Sequence, residues 1–547
     1  MKKVLTVTVV VLLVVGLMGS AAGMQGPPEQ ARGPNQQATE KVPDHAEAKL
    51  PFLPEVEELM DQVDGERIWN DVLAITGAEK SYPGYDYEGL NNPQTGADYG
   101  VRVFGSDENL VTMDWIQDKF EDMGYDVDQQ EFVNPNINII PYLHDGEYLL
   151  PVRSQRFGRD WEIFGEDNEV SASGEICRVG TVGLDAEGNL DFGQVDFSVA
   201  EGKVALIVLE EEWGAPTYSM EGYLDYLHDL GYYWVTGGGD LAGRNPDITE
   251  GLRAAQEAGA VALIVQNAGY RSWFDPDVDD DEIEVEIPFA GVASYVGEDR
   301  LHDGAEVELT LQVRAKSKNV IATREPVGGS DENTPMVIFG AHADSHAGTT
   351  GASDNTSGTC TLLEVARIFA DYNLPVELRF VAYGAHEGGG RGSNAYVATL
   401  DQEEIERTIG NWNFDMTGSG WEHTDHLFMA TQGGETPEEN VVAKYAAEAA
   451  DILGFENLII IRRGASDHTR FWAVGIEGAN HIWRDLESLD LEPSYHNSQD
   501  TVEFLSPDRL EIATQIGIGG AYLAMLDEIH QVLPGLAPPG AAKVPQR

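Results

Sequence analysis

The chain has 547 residues, 42% of them hydrophobic, with 94 acidic against 34 basic residues and a formal net charge of -60. That length implies two or more domains or one domain with a large insertion, and the apolar fraction suffices for ordinary buried cores. The charge excludes a general nucleic-acid binder, which needs clustered Lys and Arg, and disfavours stable association with an anionic membrane surface.

The acidity has two readings. Dense carboxylates suit a surface adapted to high salt, where they are screened, and such a protein needs molar salt to fold. Alternatively they attract cationic substrates, and that attraction weakens as salt rises.

In chain order, the N-terminus reads as an export signal over 1–24: Lys2 and Lys3, the apolar run Val4 to Met18, then the small residues Ser20-Ala21-Ala22-Gly23. Uncleaved, the run is nearly long enough to act as a membrane anchor. Residues 25–50 are polar and rich in Pro and Gln, which predicts a disordered linker, and the tail 534–547 is similar. Folded sequence begins near Pro51. Leu110, Met113, Ile116, Phe120 and Met123 have helical spacing, stopped by Gly124, and Tyr125 to Phe132 reads as a strand.

From about 155 to 312 the pattern predicts short strands with little regular helix, including Lys203–Leu209 and Gly259–Asn267, with a short helix over Gly251–Ala258. Asp275 to Glu286 is strongly acidic but lacks EF-hand spacing, so it reads as a solvated face. Cys177 and Cys360 are far apart and give no disulfide framework; Cys360, in an apolar helical stretch, reads as buried.

From Ser317 to about Leu533 strands and helices alternate. Strands are predicted at Met336–Phe339, Glu377–Tyr383, Ile409–Phe414, Leu458–Ile461 and Ala479–Trp483. Helices are predicted at Ser357–Tyr372, from the Thr436-Pro437-Glu438-Glu439 start, and after Ser506-Pro507. The fold class is α/β, a mostly parallel sheet with helices on both faces, where ligands sit beyond the carboxyl ends of the strands.

His342, Asp354, Glu387 and Asp415 fall at or just after strand ends or in the loops leading from them, and His496 precedes the final helix. Two imidazoles and three carboxylates suit a pair of borderline metal ions, zinc first, with one carboxylate bridging. The alternative is that these carboxylates are simply solvated.

The stretches VIFGAHADSHAGTTGASDNTSGTCTLLEVAR, ELRFVAYGAHEGGGRGS, NFDMTG, ASDHTRFWAVGI and YHNSQDT resemble the co-catalytic zinc aminopeptidase family, which includes aminopeptidase Y, secreted leucine aminopeptidases and plasma glutamate carboxypeptidase. The likeness covers roughly 55–140 and 316–530. Between them, GKVALIV and AAQEAGAVALIVQN resemble the protease-associated domain. This divides the chain into a peptidase segment over 51–154, an insertion over 155–315 and a zinc peptidase segment over 316–533.

The resemblance implies a secreted exopeptidase that takes peptides and holds two zinc ions per chain. Asp354 would bridge them, His342 and Asp415 would complete one site, and Glu387 and His496 the other. Asp344 would orient His342, Tyr495 would donate to the developing oxyanion, and Asp467 and His468 would lie near the substrate pocket. One departure matters: the family's general-base Glu is replaced by His386. Either His386 is the base, or His386 and Glu387 exchange roles through a shift of Gly388-Gly389-Gly390, or the site binds without turnover. Aminopeptidase is the main reading; a carboxypeptidase or dipeptidase is the alternative. His346 could approach the site, whereas His423 and His426 read as surface loop residues.

Overall fold

A computed structural model describes residues 53–77, 101–146, 169–210, 246–266, 300–330 and 333–532, apart from single residues and short runs within them, and a few positions between. The export signal, the linker and the tail lie outside the described residues, as does most of Asp275 to Glu286.

Among the described residues, fifteen strands run in chain order. The first nine are β1 (Asp126–His144), β2 (Leu149–Leu150), β3 (Val152–Arg153), β4 (Glu169–Leu184), β5 (Leu190–Asp191), β6 (Val204–Leu209), β7 (Ala262–Gln266), β8 (Phe289–Val292) and β9 (Glu306–Arg324). They continue with β10 (Met336–His342), β11 (Glu377–Tyr383), β12 (Thr408–Phe414), β13 (His426–Gln432), β14 (Leu458–Arg462) and β15 (Gly478–Arg484). The sheet is mixed, in the order β14-β13-β15-β12-β10-β11-β9-β4-β6-β7-β8-β3. Strands β11, β10, β12 and β15 are mutually parallel, while β13 lies antiparallel to β15.

Strand β10 is apolar on both faces because both are covered. Val337, Phe339 and Ala341 enter a core with the helices Gly358–Phe369 and Pro507–Val532; Met336 and Ile338 enter one with Tyr396 and Phe471. Phe339 stacks on Phe380 of β11 at 4.7 Å. The final helix crosses the helix Val441–Leu453 closely, since a Cβ on Gly520 would stand 2.9 Å from the Ala446 amide nitrogen. That helix begins later than its sequence signal. Thr436-Pro437-Glu438-Glu439 forms its capping box, but this closes only the turn Pro437–Glu439. Asn440 then accepts from the amides of Val442 and Ala443 and starts the helix proper.

The region predicted to hold short strands contains two long ones. Strand β9 runs unbroken through residues 315 and 316. One of its edges pairs with β1; the other pairs with β11 over Val320–Arg324 and with β4 over Glu306–Gln312. Strands β4, β6, β7 and β8 surround a separate hydrophobic core with the helix Thr249–Glu257. Cys360 is fully buried, as expected. His426, read as a loop residue, instead begins β13.

Among the described residues no helix is long and apolar enough to cross a membrane.

Candidate active site

Three parallel strands deliver donors to one edge. β10 ends on His342, β11 ends at Tyr383 just before the turn carrying His386 and Glu387, and β12 ends at Phe414, next to Asp415. Asp354 enters on the loop before the helix Gly358–Phe369. Gly358 is required there, because a Cβ would collide with the Phe414 carbonyl and Asn355 Oδ1. Asn355 ties the loop to the strand end: its Oδ1 accepts from the amides of Gly358 (3.0 Å) and Met416 (3.1 Å), and its Nδ2 donates to the Phe414 carbonyl (2.8 Å). The peptide bond between Asp354 and Asn355 is cis.

The two oxygens of Asp354 face two different imidazoles. His342 Nε2 lies 3.1 Å from Oδ1 and His496 Nε2 lies 3.1 Å from Oδ2. Asp415 Oδ1 lies 3.6 Å from His342 Nε2, and Glu387 Oε1 lies 3.2 Å from His496 Nε2. All five residues expected as ligands therefore converge. His342 Nε2 and Asp415 Oδ1 are buried without a well-formed hydrogen bond. Donors about 2.0–2.1 Å from one tetrahedral ion stand about 3.3 Å apart, so the residues fit zinc.

His386 and His346 also enter. Donor atoms of His342, His386 and Asp415 come within 4.8 Å of one another, as do those of His346, Glu387 and His496. The His346 ring stacks on that of His496 at 4.4 Å. His346, expected to be able to approach the site, is 2% exposed. His386 Nδ1 lies 3.0 Å from Asp467 Oδ2, and Ser393 Oγ donates to the other oxygen of Asp467.

Asp344 reaches two partners. His342 Nδ1 sits 3.1 Å from its backbone carbonyl and 3.5 Å from its carboxylate. The carboxylate also accepts from the amides of His386 (2.9 Å) and Glu387 (3.0 Å). It thus fixes the turn that presents both side chains. Ala385, Met416 and His496 hold positive φ of 65°, 64° and 57°, costing on the order of 1 kcal/mol each. This strain falls on His496 and on the neighbours of His386 and Asp415.

Burial disfavours charge on His342, but Asp344, Asp354 and Asp415 outweigh it and hold the ring well above its usual range. Burial likewise opposes charge on Asp354, yet His342 and His496 bring it down to about 2. His386 is opposed by burial and by His342, but Asp467 and Asp415 carry it up to about 9. Burial, then Asp354 and Glu387, keep the Tyr495 hydroxyl protonated far above its usual range. Tyr495 stacks on His496 at 3.7 Å and lines a cavity of about 120 Å³ that Asp354, His386, Asp415 and His468 also border.

Two supports escaped the sequence reading. Asp500 accepts from the amides of Ser353 (2.7 Å) and Asp354 (3.0 Å). Arg102 donates to the carbonyls of Ala343 (3.1 Å) and Thr350 (2.8 Å) and to Thr356 Oγ1 (2.7 Å). The motif around His496 contains Asp500, but only its Tyr and His were read for chemistry; Arg102 carried no signal.

Residues 319–518 match peptidase family M28. Aminopeptidase YwaD of Bacillus subtilis is 34% identical over 283 residues, covering 51% of this chain and 60% of YwaD. The probable lipoprotein aminopeptidase LpqL of Mycobacterium tuberculosis is 29% identical over 312 residues, covering 50% of this chain and 57% of LpqL. The matched part is thus less than two thirds of either relative's length. Among solved structures, BSAP, a zinc aminopeptidase from Bacillus subtilis, superposes with a TM-score of 0.52 at 25% identity, over 84% of this chain and 95% of that one. The fold is that of an α/β zinc aminopeptidase. The likeness to peptidase family M28 is that of residues 319–518.

Proposed function

We propose that this chain is an exported zinc-dependent aminopeptidase that removes N-terminal residues from peptides. The observation that carries the reading is Asp354, whose two oxygens each face a different histidine at 3.1 Å, as a carboxylate shared by two ions would. His342, Asp354 and Asp415 would hold one zinc, and Asp354, Glu387 and His496 the other. When bound, such a pair polarises a scissile carbonyl and makes water a stronger nucleophile at neutral pH.

The chain's own groups supply the rest. With Nδ1–H donated to Asp467, His386 presents Nε2 as the proton acceptor and returns that proton to the leaving amine. Tyr495 stays protonated and donates to the developing oxyanion. Asp344 holds the His386–Glu387 backbone in place. Region 155–315 is read as a protease-associated module that restricts the cleft to chain ends, on its position between the two peptidase segments. Export is read from Lys2, Lys3 and the apolar run after them.

The test is hydrolysis of aminoacyl-nitroanilides and of free and N-blocked dipeptides, in molar salt with zinc and a chelator control. Chelator-sensitive release from free-amine substrates alone is expected. Cleavage that tolerates a blocked amine but needs a free carboxylate would make it a carboxypeptidase. Two bound zincs without turnover would make it a binding protein.

A second reading has its own support. The grouping of His386 with His342 and Asp415 makes it a candidate zinc ligand. Zinc content of His386→Ala separates the two: two ions retained for a base, one lost for a ligand.

A further inference from the structure

The cavity beside the donor cluster is bordered by two guanidinium groups, Arg463 just after β14 and Arg484 at the end of β15. In this chain 94 acidic residues compete for 34 basic ones, and arginines are readily paired. Arg67 reaches Glu364, Arg300 reaches Asp145, and Arg379 and Arg407 reach Glu377. The half-buried Arg463 guanidinium has no hydrogen-bond or ion-pair partner among the described residues. Arg484 is 3% exposed and already partnered, its Nη1 donating to the Leu489 carbonyl at 2.7 Å.

The cavity's remaining charge is accounted for. Asp354 and Asp415 face His342 and would be neutralised by metal. His468 is pushed down to about 4, by burial above all, and is neutral at physiological pH. Asn480 and Ser466 are neutral and already engaged by Asn413. Apart from the metal-binding groups and His386, the charged groups that border the cavity are the two guanidiniums, of which Arg463 is the one without a partner among the described residues. The global charge of -60 repels anions at a distance, but salt screens that field within about 10 Å at 0.1 M and about 3 Å at 1 M, while a contact pair in a partly dry cavity is screened far less.

We propose that this cavity is the subsite for a substrate carboxylate, with Arg463 as its specificity-determining residue and Arg484 in the same wall. This rests on the reading of the cluster as a peptidase centre. Planar guanidinium donors bind carboxylates in bidentate fashion, which a neutral amide of equal shape cannot reproduce. The carboxylate comes from an Asp or Glu side chain at the first residue, or from the C-terminus of a very short peptide.

The test uses the zinc-loaded full chain. Glutamyl- and glutaminyl-nitroanilide, which lack a terminal carboxylate, probe the side chain; leucyl-glycine and leucyl-glycinamide probe the terminus. A preference of about tenfold or more in kcat/KM for the acid in one pair is expected. Arg463→Gln should collapse that ratio towards one, and Arg463→Lys should retain part of it. No preference in either pair, or a ratio unmoved by Arg463→Gln, overturns the proposal. Calorimetric titration with glutamate against glutamine, and leucine against leucinamide, reads the same preference as binding. If nothing is hydrolysed, the peptidase reading fails, while the titrations and their response to Arg463→Gln still decide the subsite.

Discussion

The imidazoles of His342 and His386 stack with centroids 4.0 Å apart and planes 13° from parallel. Two rings that close cannot both carry a proton cheaply, and His342 indeed opposes charge on His386. Asp467 compensates from the other side at 3.0 Å. With metal bound at His342, His386 would be driven down from that raised pKa towards its neutral, proton-accepting form. His386→Ala should therefore lower kcat by about 10²–10⁴-fold with two zincs retained, measured by turnover and metal analysis on the same preparation. His386→Glu should keep substantial activity, because a carboxylate can accept the same proton.

Asp344→Ala removes the acceptor for two adjacent amides while leaving every expected ligand in place. Zinc affinity or kcat should fall by about 10–100-fold, the usual cost of losing a group that orients ligands. Competition with a chelator reads the first and nitroanilide hydrolysis the second. A fall below threefold in both would show that the 386–387 turn holds itself.

Zinc binding should release protons. His342 and His496 both have raised pKa values in the metal-free cluster, and metal ligation needs both rings neutral. Below their folded pKa values zinc must displace protons, so affinity rises with pH and levels off once both rings are neutral. The slope of log K against pH should approach about two below the folded pKa values of both rings. Calorimetry in buffers of different ionisation enthalpy counts the protons; a pH-independent affinity would contradict the arrangement.

Acid sensitivity should trace in part to Glu364. Its side chain is 2% exposed and is held by Arg67 and Arg367. Burial raises its pKa, but the two guanidiniums outweigh that and bring it below 4.5. A depressed folded pKa means stability that is present above the unfolded value and lost as pH falls through the folded one. Glu364→Gln should cost about 2 kcal/mol at neutral pH and flatten the acid limb of the stability curve, read by denaturant titration from pH 7 to 3.

His481 adds a second, earlier loss. Burial above all pushes its pKa down to about 4. The unfolded ring takes up a proton near pH 6.5, so stability falls from there towards pH 4. His481→Asn should weaken that slope between pH 6.5 and 4, measured in the same series.

Much of the site was legible because its residues lie at strand ends, and strand ends show where an apolar run stops. Met336–Phe339 pointed to His342, and Ile409–Phe414 to Asp415. The helix–strand alternation likewise gave the sheet. What was not legible depends on contacts distant in sequence. Asp344 reaches the 386–387 amides, Asp500 the 353–354 amides, and Arg102 the loop at Thr350. None of these leaves a periodic mark. His346 was indistinguishable from a solvated loop histidine until the loop brought it onto His496. The strand at His426 was missed because its flanking histidines resembled a loop, and β9 because its alternating charged residues do not read as a buried strand.

Strand β9 has a mechanical consequence. One continuous ribbon serves both hydrophobic cores, so the chain passes between the two sheets as strand and not as a loop. β1 accompanies it along the other edge, with a register shift opposite Arg314 and Lys316. Because the same strand is a wall of both cores, heat should melt the two together.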